Sequence, residues 1–204
     1  MVFGTPLIRY RDEEAGEEKE KRPAGDLAAR LLKTRTIMVA DEVNKKMAQQ
    51  IMAQLILMEA ENDEDIKIFI NSPGGDADAG FAIFDMMRFV KPKVKAICTG
   101  VAASAAVIIL LGAKKENRFS LPNARVLIHQ PSTGIHGTAA DIQIEASEII
   151  KCREKINHLI AVETGQTFEK VGLDTKRNFW MSAEEALKYG LVSKIIQTSG
   201  ELTG

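Results

Sequence analysis

The stretch Ile66-Lys67-Ile68-Phe69-Ile70-Asn71-Ser72-Pro73-Gly74-Gly75 decides how this chain folds. Ile66 to Ile70 is a short apolar run of strand length, and Asn71 to Gly75 forces a turn. A helical pattern follows over Ala79 to Val90 and is closed by Lys91-Pro92. The unit is strand, turn, helix, and it recurs on both sides. Upstream, Ile37-Met38-Val39 reads as a strand. Met47, Ile51, Leu55 and Met58 then recur every three to four residues and mark an amphipathic helix over Asn44 to Glu61. Downstream, Val94 to Thr99 is a strand, Gly100 follows it, and an almost wholly apolar helix runs from Ala102 to Leu111. Arg125 to Ile128 is a further strand, ending at His129-Gln130-Pro131. Strands alternating with helices give stacked βαβ units on a mainly parallel sheet, an α/β fold.

The flanks carry helix signals. Asp26 is placed to cap a short helix through Lys33. A long helix is expected over Ala139 to Glu163, with Ile142, Ala146, Ile149, Ile156 and Ile160 among its apolar positions and Gly165 as its stop. Ser182-Ala183-Glu184-Glu185 has the form of a capping box opening a last helix that ends at Gly190. Leu191 to Ile196 reads as the final strand.

The chain has 204 residues, 27 basic and 28 acidic, for a formal net charge of −1. That length suits one domain with a real core, and 45 % hydrophobic residues argue against a disordered chain. The neutral balance gives no electrostatic case for a nucleic-acid partner. The charge is uneven, however: 11 of the 14 residues from Arg9 to Arg22 are charged. The first six residues lack a basic flank followed by an apolar core, and Val101 to Ala113 is too short to span a bilayer. A cytoplasmic protein without membrane contact is expected. Cys98 and Cys152 are expected to be reduced thiols, and no metal-ligand spacing joins them to His129, His136 or His158. Neither a metal nor a cofactor is expected.

Three features bear on chemistry. The Gly74-Gly75 pair is either a plain turn or a place where backbone N–H groups approach a ligand. Ser104, among small residues at a strand-to-helix junction, either caps the helix or stands on a nucleophile elbow, where the helix N-terminus favours developing negative charge. His129, at a strand end, is either structural or a general base for that serine.

Five motifs occur together and in order: Asn71-Ser72-Pro73-Gly74-Gly75, Gly-x-Ala-Ala-Ser at 100–104, Leu121-Pro122-Asn123-Ala124-Arg125, Ile128-His129-Gln130-Pro131 and Met181-Ser182-Ala183-Glu184-Glu185-Ala186. On these the chain resembles the proteolytic subunit of the Clp protease, the ClpP family of serine peptidases, over roughly Asp26 to Ile196. The resemblance implies crotonase-like stacked βαβ units with a protruding handle helix, in two stacked seven-membered rings. It implies Ser104 as nucleophile, His129 as base, and the Gly75 and Ala105 N–H groups as an oxyanion hole. Gln130 to Gly137, with Gly74, Gln130, Pro131, Gly134 and Gly137 as binding residues, matches a strand that pairs with extended substrate. Phe69, Phe89 and Phe119 match or adjoin hydrophobic pockets for an AAA+ unfoldase of the ClpX, ClpA or ClpC type. Residues 1–25 would line the axial pore, 26–198 would form the protease domain, and 199–204 a tail. No Walker-type phosphate loop is present, so ATP use belongs to that partner. An acyl-CoA hydratase or isomerase of the same superfamily would use glutamates, and none adjoins Gly74-Gly75 or Gly100 to Ser104.

The chain departs from the family at three places. The third triad position, an aspartate elsewhere, is Asn178, with Asp174 as the alternative partner for His129. Ala105-Ala106 replaces the usual methionine and glycine, and Lys176 stands beside Arg177 where an acidic residue is usual. The reading is a serine endopeptidase ring subunit acting on unfolded proteins. Its alternative is a weak or silent structural subunit paired with an active paralogue.

Overall fold

The computed structural model describes residues 24–202. The charged stretch from Arg9 to Arg22 and the pore-lining expectation for it lie outside the described residues.

The elements in chain order are α1 (Ala24–Lys33), β1 (Thr36–Val39), α2 (Lys45–Glu61), β2 (Ile66–Ser72), α3 (Ala77–Phe89), β3 (Val94–Ala103) and α4 (Ala105–Gly112). After them come β4 (Arg118–Ser120), β5 (Arg125–Ile128), α5 (Ala139–Thr164), α6 (Phe168–Asp174), β6 (Phe179–Ser182), α7 (Ala183–Tyr189) and β7 (Lys194–Ile195). The sheet runs β1-β2-β3-β4-β7, every neighbour parallel. β3 is the hub: its first half pairs β4, while Val101 to Ala103 turn to pair β5. Among the described residues, only β5 and β6 pair antiparallel.

Alternation along the strands sorts the core into two faces. Ile68, Ile70, Ala96 and Cys98 meet Ile51 and Leu55 of α2, Ile83 and Met87 of α3, and α4, whose eight residues are all buried. On the other face Ile97, Phe119 and Ile196 form a small separate cluster with Phe69, Leu121 and Leu202. Helix α5 is uneven. Its second half buries Ile156, Ile160 and Ala161, while Ile142, Ile144 and Ile150 of the first half stand exposed.

The expected helices form, with corrected ends. Asp26 lies inside α1 and is not its cap. Asn44 caps α2, its side chain accepting the Met47 N–H. α3 starts two residues early because Asp76 accepts the Ala79 N–H and fixes the first turn. β3 does not stop at Gly100 but runs to Ala103, so α4 begins at Ala105. The Ser182–Glu185 capping box and the left-handed stops at Gly165 and Gly190 are as expected. The final strand shrinks to Lys194–Ile195, held by β4. In the expected tail, Ser199–Leu202 forms a 3₁₀ turn, and the Leu202 carbonyl accepts the Lys95 ammonium.

Candidate active site

Ser104 sits between β3 and α4 with φ 55 and ψ −120, one of two non-glycine residues in the left-handed region among those described. This backbone is costly and persists because its surroundings fix it. The Ser104 N–H donates to the Leu127 carbonyl at 3.0 Å, and the Ser104 carbonyl accepts the Val107 N–H at 2.9 Å. Its hydroxyl makes no cap bond, which leaves that group free for other work.

Gly74 and Gly75 both have positive φ, 91 and 147. A Cβ on Gly74 would lie 2.3 Å from the Ala103 carbonyl oxygen and 2.8 Å from the Ser104 Cβ, so only glycine lets this turn lie against the serine. Gly75 bridges Val43 in parallel fashion: Val43 donates to the Gly74 carbonyl, and Asp76 donates to the Val43 carbonyl. Ladder geometry then points the Gly75 N–H away from Val43. The Ala105 N–H is in the first turn of α4, where the helix supplies no partner. Two backbone donors thus flank Ser104.

His129 follows β5, and Asn178 precedes β6. Ile128 pairs with Phe179, so the next rung outward faces His129 to Asn178. The His129 Nδ1 lies 3.0 Å from the Asn178 Oδ1. An amide oxygen there requires the proton on Nδ1 and leaves the Nε2 lone pair as the base. Asp174 is not the partner: its carboxylate takes the Tyr189 hydroxyl at 2.8 Å and the Lys170 ammonium at 2.6 Å. Burial, and then that carboxylate, push the Tyr189 hydroxyl above its ordinary range. The segment carrying Asn178 is anchored further, since the Gln130 N–H donates to the Thr175 carbonyl at 2.7 Å and the buried Thr175 hydroxyl donates to Asn157 at 3.0 Å.

A cleft of about 560 Å³ joins these groups. Gly75, Ser104, Ala105, His129 and Pro131 line it, with Phe81, Ile108, Ile149 and Ile156 as apolar wall. Sequence reasoning read the residues on α3 and α5 as helix faces and missed them as cleft lining, because periodicity shows which face is covered, not what space remains. The Gln130 to Gly137 segment is not a strand in this chain. The Gln130 side chain is drawn off to the Lys176 carbonyl at 3.1 Å, and Gly134 and Gly137 are exposed away from the cleft lining.

The three phenylalanines separate. Phe89 stands 77 % exposed at the end of α3, and Phe69 lines a groove with Lys95 and Leu202. Phe119 is only 8 % exposed, packs in the small cluster and lines a groove with Lys194 and Leu202. Burial pushes the Cys98 thiol up to about 12, which makes it inert. Cys152, half-buried at the cleft, is also raised, by burial and then by Asp78.

The chain is similar to known proteins in sequence and in fold. The family model described as Clp protease matches residues 18–199. The ATP-dependent Clp protease proteolytic subunit 3 of Rhizobium etli is 46 % identical over 94 % of this chain and 99 % of its own length. Subunit 2 of Treponema denticola is 50 % identical over 93 % of this chain and 96 % of its own. Among solved structures, a ClpP1 variant of Listeria monocytogenes, in which one asparagine is replaced by aspartate, superposes with a TM-score of 0.81. It is 47 % identical, covering 87 % of this chain and 99 % of that one. With matches that span nearly its whole length, the chain belongs to the Clp protease family as a ClpP-type proteolytic subunit.

Proposed function

We propose that this chain is a serine endopeptidase subunit of a self-compartmentalised, ATP-dependent protease that cuts unfolded proteins delivered by an AAA+ unfoldase. Ser104 attacks the peptide carbonyl, His129 takes its proton through Nε2 and returns it to the leaving amine, and Asn178 orients the ring. The Gly75 and Ala105 N–H groups hold the oxyanion. The observation that carries this reading is the strained Ser104 turn lining one cleft with His129, whose Nδ1 is held by Asn178 at 3.0 Å. A fluorophosphonate should label the purified protein at Ser104, and Ser104→Ala should abolish labelling. Labelling elsewhere, or labelling that survives the substitution, removes Ser104 from the mechanism.

Asn178 favours a second reading, in which the subunit is slow alone and works in a mixed assembly of heptameric rings with an active paralogue. An amide orients the imidazole but does not stabilise the imidazolium as a carboxylate does. Relatives numbered 2 and 3 support the existence of such paralogues. Lys176 beside Arg177 supports a ring contact chosen for an unlike partner. Cleavage by a reconstituted mixed complex then tells the roles apart: a Ser104→Ala subunit that leaves the rate unchanged is structural there.

The charged segment suits a gate at the axial entry. Deleting residues 10–22 should alter degradation of long unfolded chains and leave short-peptide cleavage by the complex within about twofold, since solvated charged segments add little to a folded core. Equal effects on both substrates would refute a gate.

A further inference from the structure

The parallel ladder between β2 and β3 changes register in front of the nucleophile. Pairing runs evenly from Ile66 with Val94 to Ile70 with Cys98, and then Ser72 pairs with Ala102. Two residues of β2 are therefore spanned by four of β3, and Asn71 alone faces the excess. Side chains take the place of the missing rungs. The Asn71 Oδ1 accepts the Val101 N–H at 3.1 Å, and the Thr99 hydroxyl donates to the Ile70 carbonyl at 3.1 Å. Gly100 leaves room for this: a Cβ there would come 2.3 Å from the Asn71 Oδ1. Beyond the bulge, the buried Ser72 hydroxyl donates to the Asp41 carbonyl at 2.6 Å and accepts the Gly74 N–H at 3.2 Å, fixing the new register.

The shift has a chemical consequence. Continued past Ser72 and Ala102, it sets Gly74 level with Ser104, and Gly75 level with Ala105. The contact between Gly74 and Ser104 agrees, since a Cβ on Gly74 would lie 2.8 Å from the Ser104 Cβ and 3.0 Å from the Ala105 nitrogen. In the unshifted register Gly74 would face Ala102 and Gly75 would face Ala103, so the Gly75 donor would fall two residues short of Ala105, roughly 6–7 Å of strand. We infer that Asn71, by supplying the acceptor that holds the β3 bulge, is the positioning residue that brings the Gly75 and Ala105 donors level at Ser104. This rests on the oxyanion role proposed above. Asn71 touches no reacting atom; it acts through the backbone of β3.

The test compares Asn71→Ala, which removes the acceptor, with Asn71→Asp, which keeps it, in the purified full chain. The rate of Ser104 labelling by a fluorophosphonate is measured against reagent concentration. Asn71→Ala should slow the limiting labelling step at least about tenfold with half-saturation unchanged within about twofold, because misplaced donors act only as charge develops. Asn71→Asp should recover the step to within about threefold of the parent, and the Val101 amide should lose protection from hydrogen exchange only in the alanine variant. Labelling of Asn71→Ala at the parent rate overturns the inference. So does failure of Asn71→Asp to recover, or unchanged protection at Val101. If the parent is not labelled while Val101 exchanges as stated, the nucleophile assignment fails and the register device stands.

Discussion

Asn178→Asp should raise peptide cleavage by the purified protein by up to about 10⁴, the size of the loss when a serine protease carries the reverse change. The substitution is nearly isosteric, and the carboxylate would occupy the place of an amide oxygen now 3.0 Å from the His129 Nδ1. Two effects combine. A carboxylate stabilises the imidazolium that forms as Ser104 loses its proton. It also offers acceptors only, whereas an amide turned about its last bond presents a donor and would move the ring proton to Nε2, disabling the base. Turnover of a fluorogenic peptide should rise while KM stays near the parent value, since the gain belongs to the transition state. A gain below about threefold would mean that Asn178 does not limit this enzyme.

The largest stability effect should come from Glu163→Ala. Arg118 has a fully buried side chain, donating to the carbonyls of Ala113 at 2.8 Å, Leu111 at 3.2 Å and Glu163 at 3.0 Å. Its charge is met by the Glu163 carboxylate, which Arg88 also grips at 2.9 Å. Burial draws the Arg118 guanidinium below its ordinary pKa, and contact with Glu163 works against that fall. Removing the carboxylate strands a buried cation, at a cost of about 3–5 kcal/mol. For a chain of this size that lowers the melting temperature by about 6–20 °C. Glu163→Gln, which keeps one of the two acceptor oxygens and loses the charge, should fall between. An alanine variant melting within about 2 °C of the parent would show that the cluster adds nothing.

The architecture was legible where local rules act alone. The period of Ile51, Leu55 and Met58, the Ser182–Glu185 box and the glycines at 165 and 190 each carry their own cause, and each appears at its place. Sequence reading failed where distant segments decide. Gly100 looked like a strand end because a glycine usually weakens a strand. In the fold it makes room for Asn71, and β3 continues. Phe179 to Ser182 showed no strand signal of its own, since its pairing with β5 supplies what the short segment lacks. Ser104 looked equally suited to capping α4, and only the left-handed backbone turns its hydroxyl away from that duty. The choice between Asp174 and Asn178 was open for the same reason: Tyr189, which donates to Asp174 beside its helix neighbour Lys170, lies on α7.

The antiparallel rung between β5 and β6 also sets an order in time. His129 and Asn178 are 49 residues apart, with α5 and α6 between them. A chain growing from its N-terminus emerges with serine and histidine already made, but nothing yet to hold the Nδ1 of the ring. Only when α5 has docked and the following strand has folded back does the histidine acquire its fixed tautomer. The pairing that fixes the ring therefore depends on the sixth of the seven strands, a segment made after every other residue of the candidate site.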